Sequence, residues 1–154
     1  MDSLTLHEAC VNDEFISRYY KGIFARNELC FIQVEKPVLY IVNTEHAFVN
    51  YGHWIVIFIS NDDQVEMFDS FAKALNCRHV NISNFIISLN KTRLLSNKII
   101  QSSLSSKCGL FCLYYAYFRS RNISFDCILN RFSCNDLVFN DNIVKDFARF
   151  NFRL

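Results

Sequence analysis

Glycine and proline are scarce in this 154-residue chain, which has three Gly and one Pro. So few breakers leave no room for a linker, a collagen-like repeat or a low-complexity tail, and no internal repeat is found. Charge of one sign is lacking as well. Sixteen Lys and Arg against fifteen Asp and Glu leave a net +1, so no strong field draws nucleic acid or an anionic membrane, and either partner would need a local patch. Long apolar runs are missing too. The longest, Trp54 to Ile59 and Gly109 to Phe118, fall far short of the roughly 20 residues that cross a bilayer. The opening Met1-Asp2-Ser3-Leu4-Thr5 carries an acid where a secretory signal carries basic charge, and no apolar core follows. These absences predict an intracellular chain that is neither secreted nor membrane-bound, with cytosol or nucleus as its compartment. Its seven cysteines, Cys10, Cys30, Cys77, Cys108, Cys112, Cys127 and Cys134, are then expected as reduced thiols.

What is present is core material. Half the residues are hydrophobic (51%) and 16% are aromatic, and at this length roughly two thirds of the unfolded surface can be buried. One domain spanning 1–154 is the simplest reading. Thr5-x-x-Glu8 has the form of a capping box, and Val11, Phe15 and Tyr19 continue at helical spacing, so a first helix is expected over about 6–20 with Asn12 and Asp13 as possible breaks. Val38–Val42, His53–Ile59 and Val65–Phe68 read as strands, the last two joined by the turn residues Asn61-Asp62-Asp63. Ile82, Phe85, Ile86 and Leu89 predict a helix capped at Asn81, and Lys98–Gln101 a short strand. Gly109–Phe118, apolar nearly all round, predicts a buried central helix. Two more helices are expected behind Ser124 and behind Asp141. A helix, three strands and then mostly helices make an α+β domain, a small central sheet packed on helices.

Two of the three glycines adjoin a reactive residue, in Gly52-His53-Trp54 and Cys108-Gly109-Leu110. Glycine in such a place serves where backbone approaches a ligand or takes a positive φ. Cys108 stands at the predicted N-terminus of the apolar helix, where the dipole and unpaired N–H groups favour the nucleophilic thiolate. Asp69 ends the strand next to that of His53 and can orient the imidazole and stabilise its charge. Gln101, seven residues before Cys108, can donate its amide to an oxyanion beside the Cys108 backbone N–H. Taken singly, Cys108 is more often a small buried hydrophobe than a nucleophile, and His53 a satisfied strand residue. Taken together they supply a nucleophile, a base, an orienter and an oxyanion donor.

The run Ile41-Val42-Asn43-Thr44, then Gly52-His53-Trp54, Phe68-Asp69-Ser70-Phe71, Gln101 and Cys108-Gly109-Leu110-Phe111-Cys112 resembles the adenovirus-type cysteine protease (adenain) family, within the wider Ulp and SENP-like peptidases. The resemblance covers roughly residues 15–120. It implies a papain-related fold with changed chain order, His before Cys. It also implies roles for His53 as base, Asp69 as orienting acid, Cys108 as nucleophile and Gln101 as oxyanion donor, with Trp54, Gly52 and Gly109 around the substrate. Implied too is a cysteine endopeptidase, without cofactor or metal, that cleaves after small residues, typically Gly, during maturation of virion precursors. The setting would be an adenovirus-like virus, a virophage or a Maverick/Polinton-type element, and the location the host nucleus or cytoplasm and the virion. The alternatives are a deubiquitinating or SUMO-processing protease and an idle virion component that keeps the fold as a binding module. Adenoviral enzymes are activated by a disulfide-linked viral peptide and by DNA. Here Asn90 stands near the expected linking cysteine, so an activating peptide is expected to bind non-covalently if at all, and DNA contact to be weak.

The remaining features read more plainly. Cys112, one helical turn past Cys108, is expected to pack, and redox pairing with Cys108 is the other reading. Cys77-x-His79 and the Cys127 and Cys134 pair lack structural-zinc spacing. His7 and His46 read as surface residues. Lys91, Arg93 and Lys98 form a basic run. Arg149 and Arg153 alternate with Phe147, Phe150 and Phe152, either as an amphipathic end with its rings inward or as a place for bases to stack.

Overall fold

Two antiparallel and two parallel pairings build a five-stranded sheet whose strands lie in sequence order. The strands are β1 (Tyr20–Ala25), β2 (Val38–Asn43), β3 (Trp54–Ile59), β4 (Gln64–Phe68) and β5 (Thr92–Leu95). The helices are α1 (Ser3–Asn12), α2 (Val80–Ser88), α3 (Cys108–Ser120), α4 (Phe125–Leu129) and α5 (Leu137–Phe152). The computed structural model describes residues 1–49, 51–77 and 79–154. β2 and β3 are continuous apolar runs because both faces of the sheet are covered. One face sends Leu39, Ile41, Val56, Phe58 and Phe68 into a core with residues of α1, α3, α4 and α5. The other sends Tyr40, Val42, Ile55, Ile57 and Met67 against Ile82, Phe85 and Ile86 of α2. This is the expected α+β arrangement. Among the described residues no helix is long and apolar enough to cross a membrane.

One charged group interrupts the first core. Glu66 of β4, 2% exposed, accepts hydrogen bonds from the Tyr115 hydroxyl and, at 2.9 Å, from Nε of Arg119, both on α3. The Arg119 guanidinium lies 4.4 Å from the centre of the Phe58 ring. A buried carboxylate is tolerated when it is paired and hydrogen-bonded in this way.

Several expected boundaries move, each for a local reason. The first helix starts at Ser3 because Asp2, not Thr5, is its cap, accepting from Thr5 N at 2.8 Å. It stops at Asn12, and Asp13 then accepts from the backbone of Phe15 and Ile16. Tyr19 therefore lies outside that helix, and the strand that follows it, β1, has no counterpart in the sequence reading. The cap of α2 is His79 rather than Asn81, and that of α5 is Asp136 rather than Asp141, which sits buried inside the helix. Lys98–Gln101 is not a strand. The nearby strand is β5, and Ile100 and Gln101 instead donate their backbone N–H groups to the carbonyl of Ser70.

The candidate surfaces resolve as well. Phe147 and Phe152 pack edge-on against Tyr117, whereas Phe150 is 87% exposed. In the basic run Lys91 pairs with Asp63 and Lys98 donates to the Phe132 carbonyl, so only Arg93 is exposed. His7 is exposed but bonds the Tyr20 hydroxyl at 2.9 Å, and half-buried His46 stacks on Phe48. Cys10, Cys30, Cys108, Cys112, Cys127 and Cys134 are free thiols. The side chain of Cys77, half of the Cys77-x-His79 pair, lies outside the described set.

Candidate active site

His53 immediately precedes β3, and Asp69 immediately follows β4. The antiparallel register pairs Val56 with Phe68. One step further Ile55 falls opposite Asp69, after which the chain turns, Ala72 N donating to the Asp69 carbonyl, and His53, two residues before Ile55, comes within reach of the Asp69 side chain. Their side chains meet with His53 Nε2 2.5 Å from Asp69 Oδ1. The His53 ring also packs on Phe71, with centroids 4.8 Å apart. Since Nε2 faces the carboxylate, it carries the ring proton, and Nδ1 is left to serve the thiol.

Both members of this pair are held by backbone. His53 N donates to Thr44 Oγ1 at 3.2 Å, and its carbonyl accepts from Thr44 N at 2.9 Å. Asp69 is fully buried. Its N–H donates to Ser96 Oγ, while its carboxylate accepts from Phe71 N at 2.9 Å and Lys73 N at 3.1 Å. Gly52, just before His53, has φ +147°, and a Cβ there would stand 2.0 Å from Asn43 Oδ1. Only glycine fits that turn.

Cys108 is the first residue of α3 and is 9% exposed. Burial works against its thiolate. Hydrogen bonding to His53 and to the backbone N–H groups of Trp54 and Gly109, together with the imidazolium charge, outweighs burial and holds the thiol below its ordinary pKa. For His53 burial likewise works against the charge. Hydrogen bonds to Asp69 and Cys108 and the negative charges of both hold the imidazole above its ordinary pKa. The two shifts favour a thiolate–imidazolium pair. Cys112 goes the opposite way, since complete burial pushes its thiol far up, as expected of a packing residue.

Gln101 is buried and fixed at both ends of its amide. Oε1 accepts from Ser70 Oγ at 2.6 Å, and Nε2 donates to the Ser105 carbonyl at 2.8 Å. Each amide nitrogen has two N–H groups, so one remains for another acceptor. The loop from Gln101 to Lys107, which leads into Cys108, is anchored further by Asn140 of α5, whose Nδ2 donates to the Ile100 carbonyl. Trp54 donates its indole N–H to the Met1 carbonyl at 3.4 Å. The structure thus brings His53, Asp69 and Cys108 together, places Gly52 and Trp54 beside them, and sets Gln101 at the root of the adjoining loop. Sequence reasoning gave no role to Met1, Ser70 or Asn140. For Met1 a signal existed in Gly109, whose missing side chain leaves space for a neighbour.

No protein-family model and no curated protein matches this chain. Among solved structures it is similar in fold to the central domain of the uncharacterized Lpg1148 protein from Legionella pneumophila. The TM-score is 0.58 at 13% identity, and the match covers 99% of this chain and 96% of that one.

Proposed function

We propose that the protein is a cysteine endopeptidase with Cys108 as nucleophile, His53 as base and Asp69 as its orienting acid. The observation that carries this reading is the buried, hydrogen-bonded sequence Asp69, His53, Cys108, in which the imidazole is raised and the thiol lowered in pKa. The thiolate sulfur attacks a peptide carbonyl carbon. The tetrahedral oxyanion is met by the Cys108 backbone N–H and the Gln101 amide. As the C–N bond breaks, the imidazolium gives its proton to the leaving amine. A water that loses its proton to His53 then attacks the thioester, and the acyl group leaves as an acid while Cys108 departs as the thiolate, restoring the thiolate–imidazolium pair. The resemblance to adenain-type and Ulp-like enzymes, and a sheet that precedes the helix carrying the cysteine, support a papain-related architecture with His before Cys. The resemblance also supports cleavage after Gly in viral structural precursors, within an infected cell or virion, whereas Asn90 near the expected linking cysteine, a departure from that pattern, supports basal activity in reducing buffer and no disulfide-linked activator. The experiment incubates the chain in reductant with Gly-containing peptides, with capsid precursors, and with ubiquitin and SUMO fusions. Cleavage abolished by Cys108→Ala is the expected result. Undiminished cleavage in that variant, or no cleavage of any of these substrates by the unmodified chain, would overturn the reading.

A further inference from the structure

Met1 is held on three sides. Asp2, the cap of α1, fixes the backbone that follows it. Its carbonyl accepts the Trp54 indole N–H at 3.4 Å. Its side chain lies over Gly109, so close that a Cβ on that glycine would come within 3.2 Å of both Met1 Cβ and Met1 Sδ. Trp54 and Gly109 are the residues that follow His53 and Cys108, and both turn a backbone N–H toward the Cys108 sulfur. Met1 therefore spans the two walls between which the sulfur lies, and it fills the space that the missing Gly109 side chain leaves.

A groove of about 880 Å³ begins at Met1 and Trp54 and runs past Gly22, Gly52 and Tyr51. Gly22 and Gly52 are the two glycines with left-handed φ, +139° and +147°. At both, the place of a Cβ is taken by a neighbouring side chain of the groove wall, Phe24 beside Gly22 and Asn43 beside Gly52. Met1 and Trp54 present a thioether and an indole to this groove, and Cys108, next to Gly109 under Met1, is 9% exposed.

We infer that Met1 is a specificity-determining residue of this centre, narrowing the passage to Cys108 between itself and Trp54 so that a reacting group with little or no side chain is preferred. The inference rests on the peptidase reading for its substrate, a polypeptide with Gly at the cleaved bond. The narrowing itself can be tested without that reading.

Chains released from a cleavable leader carry Met1, Met1→Gly or Met1→Leu, and a fourth carries Asp2→Ala, which removes the cap that places Met1. Cys108 alkylation by iodoacetamide and by its N-phenyl analogue is followed by mass spectrometry, with circular dichroism as the check on folding. The two reagents share one electrophile and differ in bulk, so their rate ratio reports access. Met1→Gly should raise the bulky-to-small ratio by about tenfold, the scale on which apolar pockets discriminate small groups, while Met1→Leu stays within about twofold. Asp2→Ala should shift the ratio in the direction of Met1→Gly. On peptides with Gly, Ala or Val before the cleaved bond, Met1→Gly should raise kcat/KM for Ala and Val relative to Gly. An unchanged ratio in folded Met1→Gly would overturn the inference, as would a Met1→Leu shift equal to that of Met1→Gly. If Met1→Gly does not fold, an unchanged ratio in Asp2→Ala overturns it. A shifted ratio with no peptide cleaved would keep the narrowing and discard the peptidase.

Discussion

Asp69→Asn separates the orienting role of the carboxylate from its structural one. The carboxylate accepts at least three hydrogen bonds, His53 Nε2 and Phe71 N on Oδ1 and Lys73 N on Oδ2. An asparagine can keep its oxygen at the Oδ1 place, satisfying His53 and Phe71, and turn its NH₂ toward the Lys73 N–H. The hydrogen bond from Lys73 N is then lost and two donors face each other in a fully buried place, which costs about 1–3 kcal/mol. The opposite orientation sets two such conflicts and inverts the imidazole tautomer, so it is disfavoured. The fold and the tautomer survive; the charge does not. Losing an opposite charge at contact lowers the His53 pKa toward that of an unpaired, part-buried imidazole. In the unmodified chain the reactive pair exists between the lowered Cys108 pKa and the raised His53 pKa. Activity therefore falls as pH drops through the first, when the thiolate is protonated, and as pH rises through the second, when the imidazole loses its proton. In Asp69→Asn the upper limb should move to lower pH, because His53 deprotonates earlier. The lower limb should stay or move slightly down, because His53 is still protonated there and a negative charge near the thiolate has gone. The assay measures Cys108 alkylation rate, and peptide turnover, from pH 4 to 10, beside urea denaturation of both chains. An Asp69→Asn chain that loses about 1–3 kcal/mol of stability but keeps its upper limb would refute the orienting role and leave Asp69 a purely structural acceptor.

Three further outcomes follow from the same geometry. Mapping by mass spectrometry with iodoacetamide near pH 6 should label Cys108 ahead of exposed Cys30, Cys127 and Cys134, and Cys112→Ala should keep most turnover; preferential labelling elsewhere would sink the nucleophile assignment. Gln101→Ala should lower kcat by roughly a hundredfold to a thousandfold with little change in KM, and an unchanged kcat in a folded variant would leave Gln101 as the tie between Ser70 and Ser105 and nothing more. Gly52→Ala forces a Cβ to 2.0 Å from Asn43 Oδ1 at φ +147° and should cost about 1–3 kcal/mol in urea denaturation from backbone strain alone; stability equal to the unmodified chain would show that the turn relaxes freely.

Legibility in the sequence followed burial. β2, β3 and α3 stand between covered faces, so their residues form unbroken apolar runs that any reading finds. β1 and β5 are the sheet edges, half exposed and without alternation, and the β1 register shifts between Tyr20 and Gly22. They leave no periodic signal. Helix starts were misplaced where two cap-forming residues compete: Asp2 caps the very Thr5 that heads the apparent box, and Asp136 precedes Asp141 by more than a turn. The site was legible for a different reason. His53 and Asp69 flank a hairpin whose strand lengths dictate their meeting, and Cys108 heads the helix that lies on it. The supports from Met1 and Asn140 come from the chain ends, and no spacing rule reaches across such distances.

The Glu66 contact with α3 bears on more than burial. Cys108, Tyr115 and Arg119 are seven and then four residues apart, so at 3.6 residues per turn all three lie within about 20° of a common line along the helix. A helix seated only by aliphatic and aromatic packing can rotate or slide and still bury a similar area. The carboxylate of Glu66, gripped by a hydroxyl and a guanidinium on successive turns, fixes both phase and axial setting roughly 10 Å from the sulfur. A one-residue slip would swing Cys108 by about 100° away from the imidazole and would strand a charge in the core. The polar pin therefore acts as an indexing tooth: it makes the arrangement that aligns thiol and base the one arrangement in which no ion is left unpaired.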